Sequence, residues 1–313
     1  MRRVALRALG VAALLGAAAC AGVATTTAPT TGGDRPVRIE ANRTPLGLGG
    51  AELAPGVRYA GGLTLRGEAL HGLSDLKVVA DRAWVVSDFG NMIRFTLVHD
   101  DAGRLVGAEA AAARSLTGLD GTVLEDKAGA DAEGLAILPD GRVLVAFERD
   151  HRIWSYGAGG EERPTIVAAP DVDLPENAGF EGLAPAEGGW LVLGEEGGGW
   201  LCAPTCAPFG DLAPADGYRF TGADADPSGK GWFVVERFYS PPLDMRARVR
   251  RLSAEGVLSE PLIELRPPAS VDNFEGVAAV ASASGTRLYL LSDDNDNPVQ
   301  KTLLLAFDLA PLI

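Results

Sequence analysis

Soft metal ligands are scarce in this sequence, with three cysteines and three histidines in 313 residues. The histidines fall in no paired ligand spacing, and Cys202 and Cys206 have no second soft pair close in sequence. Zinc and iron are therefore disfavoured. Positive charge is also short, since 28 basic residues face 42 acidic ones, for a net charge of −14. Such a surface repels a polyanion, which argues against nucleic-acid binding. No G-x-S-x-G nucleophile elbow and no phosphate-binding P-loop occur, and the glycine-rich run 194–200 is followed by no helical pattern. An almost unbroken apolar stretch covers only 4–19 and is interrupted by Arg7, too short for a comfortable membrane span.

That stretch has a different meaning. Arg2 and Arg3 precede it, and it ends in Ala17-Ala18-Ala19-Cys20. A basic start, an apolar middle and a small-residue end make a secretory signal over 1–20. Its end resembles a lipobox, with Cys20 as the lipidation site, although alanine stands at position 17 where leucine is usual. An ordinary Ala-x-Ala cleavage site with an incidental cysteine is the alternative. Residues 21–36 are small and rich in Thr, Pro and Gly, and a flexible linker is expected over 21–56, ahead of a domain at 57–313. The expected product is a monomeric lipoprotein of the cell envelope, facing the periplasm or the exterior and touching the membrane only through its lipid. In an oxidising compartment Cys202 and Cys206 are expected to form a disulfide.

Forty glycines and 20 prolines demand frequent turns. The chain is also self-similar. The segments 72–88, 131–148, 179–195, 222–236 and 273–294 each pair two short apolar runs across a turn containing Gly, Pro or Asp. This reads as a repeated β-hairpin. Successive first acids lie 48, 43 and 51 residues apart, from Glu133 to Glu181, Asp224 and Glu275. Periods of about 40–50 residues suit the four-stranded blade of a β-propeller. The expected fold is all-β, a propeller with six blades favoured and five or seven as alternatives. Segments 151–158 and 247–256 are candidate third strands, and 302–309 is expected to pair with 57–67 and close the ring.

Acids recur at fixed places in the repeat. One precedes the first strand (Glu133, Glu181, Asp224, Glu275), and another follows the second (Asp88, Glu148, Glu195, Glu236, Asp293). In an antiparallel hairpin these positions share the open end, so a ring of hairpins gathers the carboxylates on one rim. Like charges that close need an offset. A hard divalent cation, calcium, with six to eight oxygen ligands, is the simplest one. The acidic run 293–297 adds Asp294 and Asn295 as weaker ligand candidates. His71 stands where the later repeats carry the first acid. The five arginines within 237–251 either hold an anion or balance local acids.

The sequences GLSDL and VVSDFGN within 72–91, DAEGLA and AFERD within 131–150, NAGFEGLA and LGEE within 177–196, VVERFYSP at 234–241, and DNFEGVA, LSDDN and TLLLAFDL within 272–309 together resemble the family named for the esterase-like activity of phytase. The resemblance implies a propeller-shaped hydrolase of ester or phosphomonoester bonds acting on a small molecule. It also implies calcium ions on the rim that neutralise a phosphate ester and activate water. Glu133, Glu181, Glu236 and Glu275 would be ligands, with Arg149 and Arg237 steadying the phosphate. A non-catalytic ligand-binding propeller and a calcium-dependent lactonase-type hydrolase are the competing readings.

Overall fold

A computed structural model describes residues 33–160, 163–175, 178–241 and 244–311. The expected signal segment and Cys20 lie outside the described residues. Within them the regular secondary structure is almost all β-strand, with one short helix at Lys127–Ala130. No helix among the described residues is long and apolar enough to cross a membrane.

The strands fall into five groups of four, each antiparallel and ordered by sequence from an inner to an outer strand. The first contains Leu73–Val79, Arg82–Ser87, Asn91–His99 and Leu105–Ser115. The second contains Ala132–Ile137, Val143–Phe147, Arg152–Tyr156 and Thr165–Ile166. The third contains Phe180–Ala186, Gly189–Gly194, Gly199–Cys202 and Cys206–Pro208. The fourth contains Tyr218–Ala225, Trp232–Ser240, Asp244–Leu252 and Ile263–Leu265. In the fifth, Asn273–Ser282, Gly285–Asp293 and Thr302–Leu309 are completed by Val57–Arg66 from the other end of the chain. The expected pairing of the two ends is thus present, with Leu309 opposite Val57 and Leu304 opposite Leu63. Both proposed third strands are also present, at Arg152–Tyr156 and Asp244–Leu252.

Each inner strand touches the next in cyclic order, and the fifth touches the first. The result is a closed, propeller-like ring. Among the described residues it has five blades, not the six favoured from chain length. The 62-residue step from His71 to Glu133 holds one blade with long outer strands, followed by a loop and the short helix, rather than two blades.

The expected linker over 21–56 also needs correction. Arg35–Pro36 pairs with the outer strand of the first blade, Glu40–Arg43 with Val57–Arg66, and Ala51–Leu53 with Ile263–Leu265. These three blades have outer edges whose unpaired backbone groups would otherwise be exposed, and the segment covers them. The Cys202–Cys206 disulfide forms as expected and ties the two outermost strands of the third blade.

The core lies between blades, where Leu, Val, Phe and Ala of adjacent sheets interdigitate. The inner strands converge so closely that a side chain is excluded at some points. A Cβ on Gly222 would lie 2.3 Å from the Glu275 carbonyl oxygen of the next blade. At Gly229 the left-handed backbone has φ +75° but open space around it. Replacing Gly222 by Ala should therefore cost about 3 kcal/mol or more through overpacking of a rigid contact. Gly229→Ala should cost only about 1–2 kcal/mol through backbone conformation. Urea midpoints of the two variants test this, and equal losses would mean that the inner strands are not packed as described.

Candidate functional site

Every inner strand carries a β-bulge near its start, at Ser74, Glu133, Glu181, Thr221 and Glu275. A bulge adds one residue to one strand and re-aims its side chain. On the second strand of each blade the residue just past the pairing partner of the bulge's predecessor is Asp88, Glu148, Glu195, Arg237 or Asp293. These ten positions form two rings around one end of the axis. Seven of them are carboxylates, one is an arginine, and the others are Ser74 and Thr221.

The rim predicted from sequence is thus present, but Asp224 and Glu236 do not hold the ring positions of the fourth blade, nor His71 that of the first. The counterpart of Glu133 in the fourth blade is Thr221, not Asp224. Asp224 lies three residues further along, fully inside the ring, accepting from the N–H of Ala225 at 2.9 Å and of Ala279 at 2.8 Å. It ties the fourth blade to the fifth, and burial raises its pKa to about 6. The counterpart of Glu148 is Arg237, not Glu236. A shift of one residue along a strand turns a side chain to the opposite face. Glu236 accordingly points away and accepts from Arg250 Nη1 at 3.0 Å. In the first blade the bulge residue is Ser74, while His71 stays on the rim and meets Asp294 Oδ2 at 2.8 Å.

Burial and mutual repulsion raise the pKa values of these acids. Burial raises the Glu133 carboxyl well above the usual range, reinforced by Glu181, Glu275, Asp131 and Glu148. Burial does the same for Glu181, with Glu195 and Glu275 adding to it while Arg237 opposes. Glu275 is pushed up to about 8 by burial, again against Arg237. Glu148 reaches about 7 through burial and Asp131, and Asp293 about 6 through burial and the acids beside it.

Among the described residues, Arg237, Lys127 and Arg149 sit among these acids. Arg237 lies 3.5 Å from Glu275 and 3.7 Å from Glu195, and donates to Asn273 Oδ1. Lys127 spans the first and second blades, bonding Asp88 at 2.6 Å and Asp131 at 2.7 Å. Arg149 bonds Asp131 at 2.8 Å. Both arginines expected to hold a phosphate therefore have carboxylate partners. The other arginines of 237–251 balance local acids, Arg246 with Asp244, Arg248 with Glu264 and Arg251 with Asp226. Asn295 donates to Gln300 at 3.3 Å, outside the rings.

Asp131, Glu133 and Glu148 stand out, because one oxygen from each lies within 4.8 Å of the others. Three oxygens so spaced fit around one hard cation with metal–oxygen distances of about 2.3–2.6 Å. The donor set is all oxygen, which suits such an ion and not zinc. Glu133 and Glu148 were legible from the repeat, whereas Asp131 was not. Asp131 caps the end of the short helix, just outside Ala132–Ile137, so strand alternation does not place it. For Lys127 the sequence holds no signal, because its partners lie on different blades.

A closed ring of β-blades with an acid-lined axial mouth defines a propeller-like protein with a candidate cation site. The family model described as phytase-like, esterase-like activity of phytase, matches residues 68–296, and the chain belongs to that family. Among curated proteins none matches the chain. Among solved structures, the allergen Mala s 1 of Malassezia sympodialis is similar at 14% identity and TM-score 0.43, over 82% of this chain and 90% of that one. A catalytically inactive variant of virginiamycin B lyase from Staphylococcus aureus, solved with quinupristin, is similar at 8% identity and TM-score 0.43, over 87% and 100%. Aldose sugar dehydrogenase from Streptomyces coelicolor, in its PQQ-bound form, gives 12% identity and TM-score 0.41, over 87% and 98%. At these scores the likeness carries nothing about chemistry.

An acid whose folded pKa exceeds its unfolded value keeps a proton that the unfolded chain has released. The ordinary glutamate value here is 4.5, against about 7 for Glu148 and about 8 for Glu275. The contribution of these groups to stability is thus greatest below pH 4.5 and is lost as pH rises through that window. In chelator, melting temperature should fall between pH 5 and pH 8 by about 4 °C or more. Glu275→Gln should flatten the slope. A melting temperature that rises across this range would contradict the crowding of acids described above.

Proposed function

We propose that the protein is an exported, metal-dependent hydrolase of ester or phosphomonoester bonds, with calcium as its metal. The observation that carries this reading is the convergence of Asp131, Glu133 and Glu148 oxygens within 4.8 Å of one another, on a rim crowded with further acids. Those three side chains would hold the ion, with Lys127 and Arg149 giving up part of their hold on Asp131. Bound calcium would neutralise the ester's charge and lower the pKa of an attacking water.

The chain's own groups supply the rest. Arg237 points a guanidinium into the ring and can orient an anionic oxygen. In hydrolysis the water oxygen bonds to phosphorus or the acyl carbon and gives up a proton to an ionised rim carboxylate, the ester bond breaks, and the leaving oxygen takes a proton. Glu275, pushed up to about 8 by burial, and Glu181, raised by burial as well, are the donors at hand. The reading includes export as an envelope lipoprotein through Cys20 and action as a monomer on a small molecule. Cys20→Ser should move the protein from the membrane to the soluble fraction, and a distribution unchanged by the substitution would remove the anchor from this reading.

One observation favours a second reading. Lys127, Arg149 and Arg237 already offset part of the ring's charge without a metal. A non-catalytic propeller that binds a ligand on this rim would need nothing more. Turnover decides between them. Purified protein should hydrolyse a chromogenic phosphomonoester or carboxylic ester with calcium and not with chelator. Glu133→Gln should weaken calcium binding at least about tenfold while leaving the fold intact by circular dichroism. Activity that survives chelation refutes the metal, and no turnover of any ester leaves the binding scaffold as the function.

A further inference from the structure

A groove of about 460 Å³ opens beside the rings; Arg237 belongs to both, and its partner Asn273 lines the groove. At its inner end the guanidinium of Arg237 is already shared among Glu275, Glu195 and Asn273. At its outer end Tyr239 and Val299 are 52% and 77% exposed. One wall is a chain of amides. Asn295 and Asn297 both donate to Gln300 Oε1, at 3.3 and 3.2 Å, and Gln300 Nε2 donates to Asp272 at 3.2 Å.

Each feature selects a ligand chemistry. Side-chain amides offer donors and acceptors together without net charge, which matches hydroxyl groups that also do both. An exposed tyrosine ring supplies a flat apolar face with a polar tip, suited to the C–H face of a sugar or cyclic polyol. Charge works in the other direction. Among the described residues lining the groove, Arg237 is the one cation, and Asp272 adds an acid. A phosphate monoester carries about −1.5 to −2 at pH 7. One such group can be met at the ring by Arg237 and a bound cation. Each additional phosphate would lie along neutral amides beside an acid-rich mouth, with no cation to meet it.

We infer that this groove receives the leaving group of the ester, and that this group is a neutral polyhydroxylated one, a sugar or cyclic polyol esterified once. Polyphosphorylated polyols are rejected by charge. The inference rests on the hydrolase reading for the word ester, while the groove's preference for neutral hydroxyls stands on its lining.

The test separates the two. With calcium present, kcat/KM is measured for a hexose monophosphate, a hexose bisphosphate, inositol hexakisphosphate and ethyl phosphate. Binding of the unphosphorylated hexose and of myo-inositol is measured by calorimetry on the full chain, with and without calcium. Tyr239→Ala and Gln300→Ala are compared with the parent. The monophosphate should exceed both polyphosphates at least tenfold. Both variants should raise KM for the hexose monophosphate at least fivefold, leave kcat/KM for ethyl phosphate unchanged, and weaken binding of a neutral polyol. If no ester is turned over but a neutral polyol binds and Tyr239→Ala weakens it, the hydrolase reading fails and the groove stands. Preference for a polyphosphate overturns the proposal. So does indifference of both KM and binding to the two variants, and so does the absence of both turnover and polyol binding.

Discussion

Carboxylates brought closer together than their charges favour are the constraint on which this molecule turns. Inner strands of five blades meet around one axis, and two ring positions per blade bring Glu133, Glu181, Glu275, Asp88, Glu148, Glu195 and Asp293 to one mouth. Desolvation and mutual repulsion make their full ionisation unfavourable. The chain answers with raised pKa values on the glutamates and with the cations Lys127, Arg149 and Arg237. None of these cations belongs to the repeat pattern except Arg237, which takes the place of an acid in the fourth blade. A rim poised in this way offers a candidate site for a hard cation at Asp131, Glu133 and Glu148.

The same convergence fixes the packing. Glycine follows the bulge in four of the five inner strands, at Gly134, Gly182, Gly222 and Gly276, and in each a Cβ would crowd a neighbour. In the first blade Asp75 stands there instead. Its carboxylate is buried, pairs with Lys77 at 2.7 Å and accepts the Leu135 N–H of the next blade at 2.8 Å. Asp224 plays a similar part between the fourth and fifth blades. Two buried acids thus fasten neighbouring blades by accepting backbone donors, where removal of one partner would leave a buried polar group unmet. They hold the strands, and the bulge glutamates face the mouth.

Closure comes from the two ends of the folded chain. Thr302–Leu309 and Val57–Arg66 share the fifth blade, so the ring is sealed by backbone hydrogen bonds between segments far apart in sequence. Residues 35–53 then cover the outer edges of three blades. The composition of 21–36 suggests a tether, and strand formation from Arg35 onward comes from edges that need partners, not from local propensity.

The sequence by itself determined the hairpin repeat, the all-β class, the pairing of the chain's two ends, the short-loop disulfide and most of the acids on the rim. Each of these is written in local spacing: alternation sets a strand's faces, and a turn sets where its hairpin ends. The tertiary structure decided the blade count, since a long first blade and two short ones are indistinguishable from length alone. It also decided that Thr221 and Arg237, not Asp224 and Glu236, occupy the ring positions of the fourth blade. The fourth blade has the same bulge as the others, but a threonine and an arginine hold its two ring positions while acids stand three residues and one residue away, so the spacing of acids points to the wrong side chains. Which cation meets which acid was equally beyond the sequence, because Lys127, Asp88 and Asp131 become neighbours only when two blades close around a common axis.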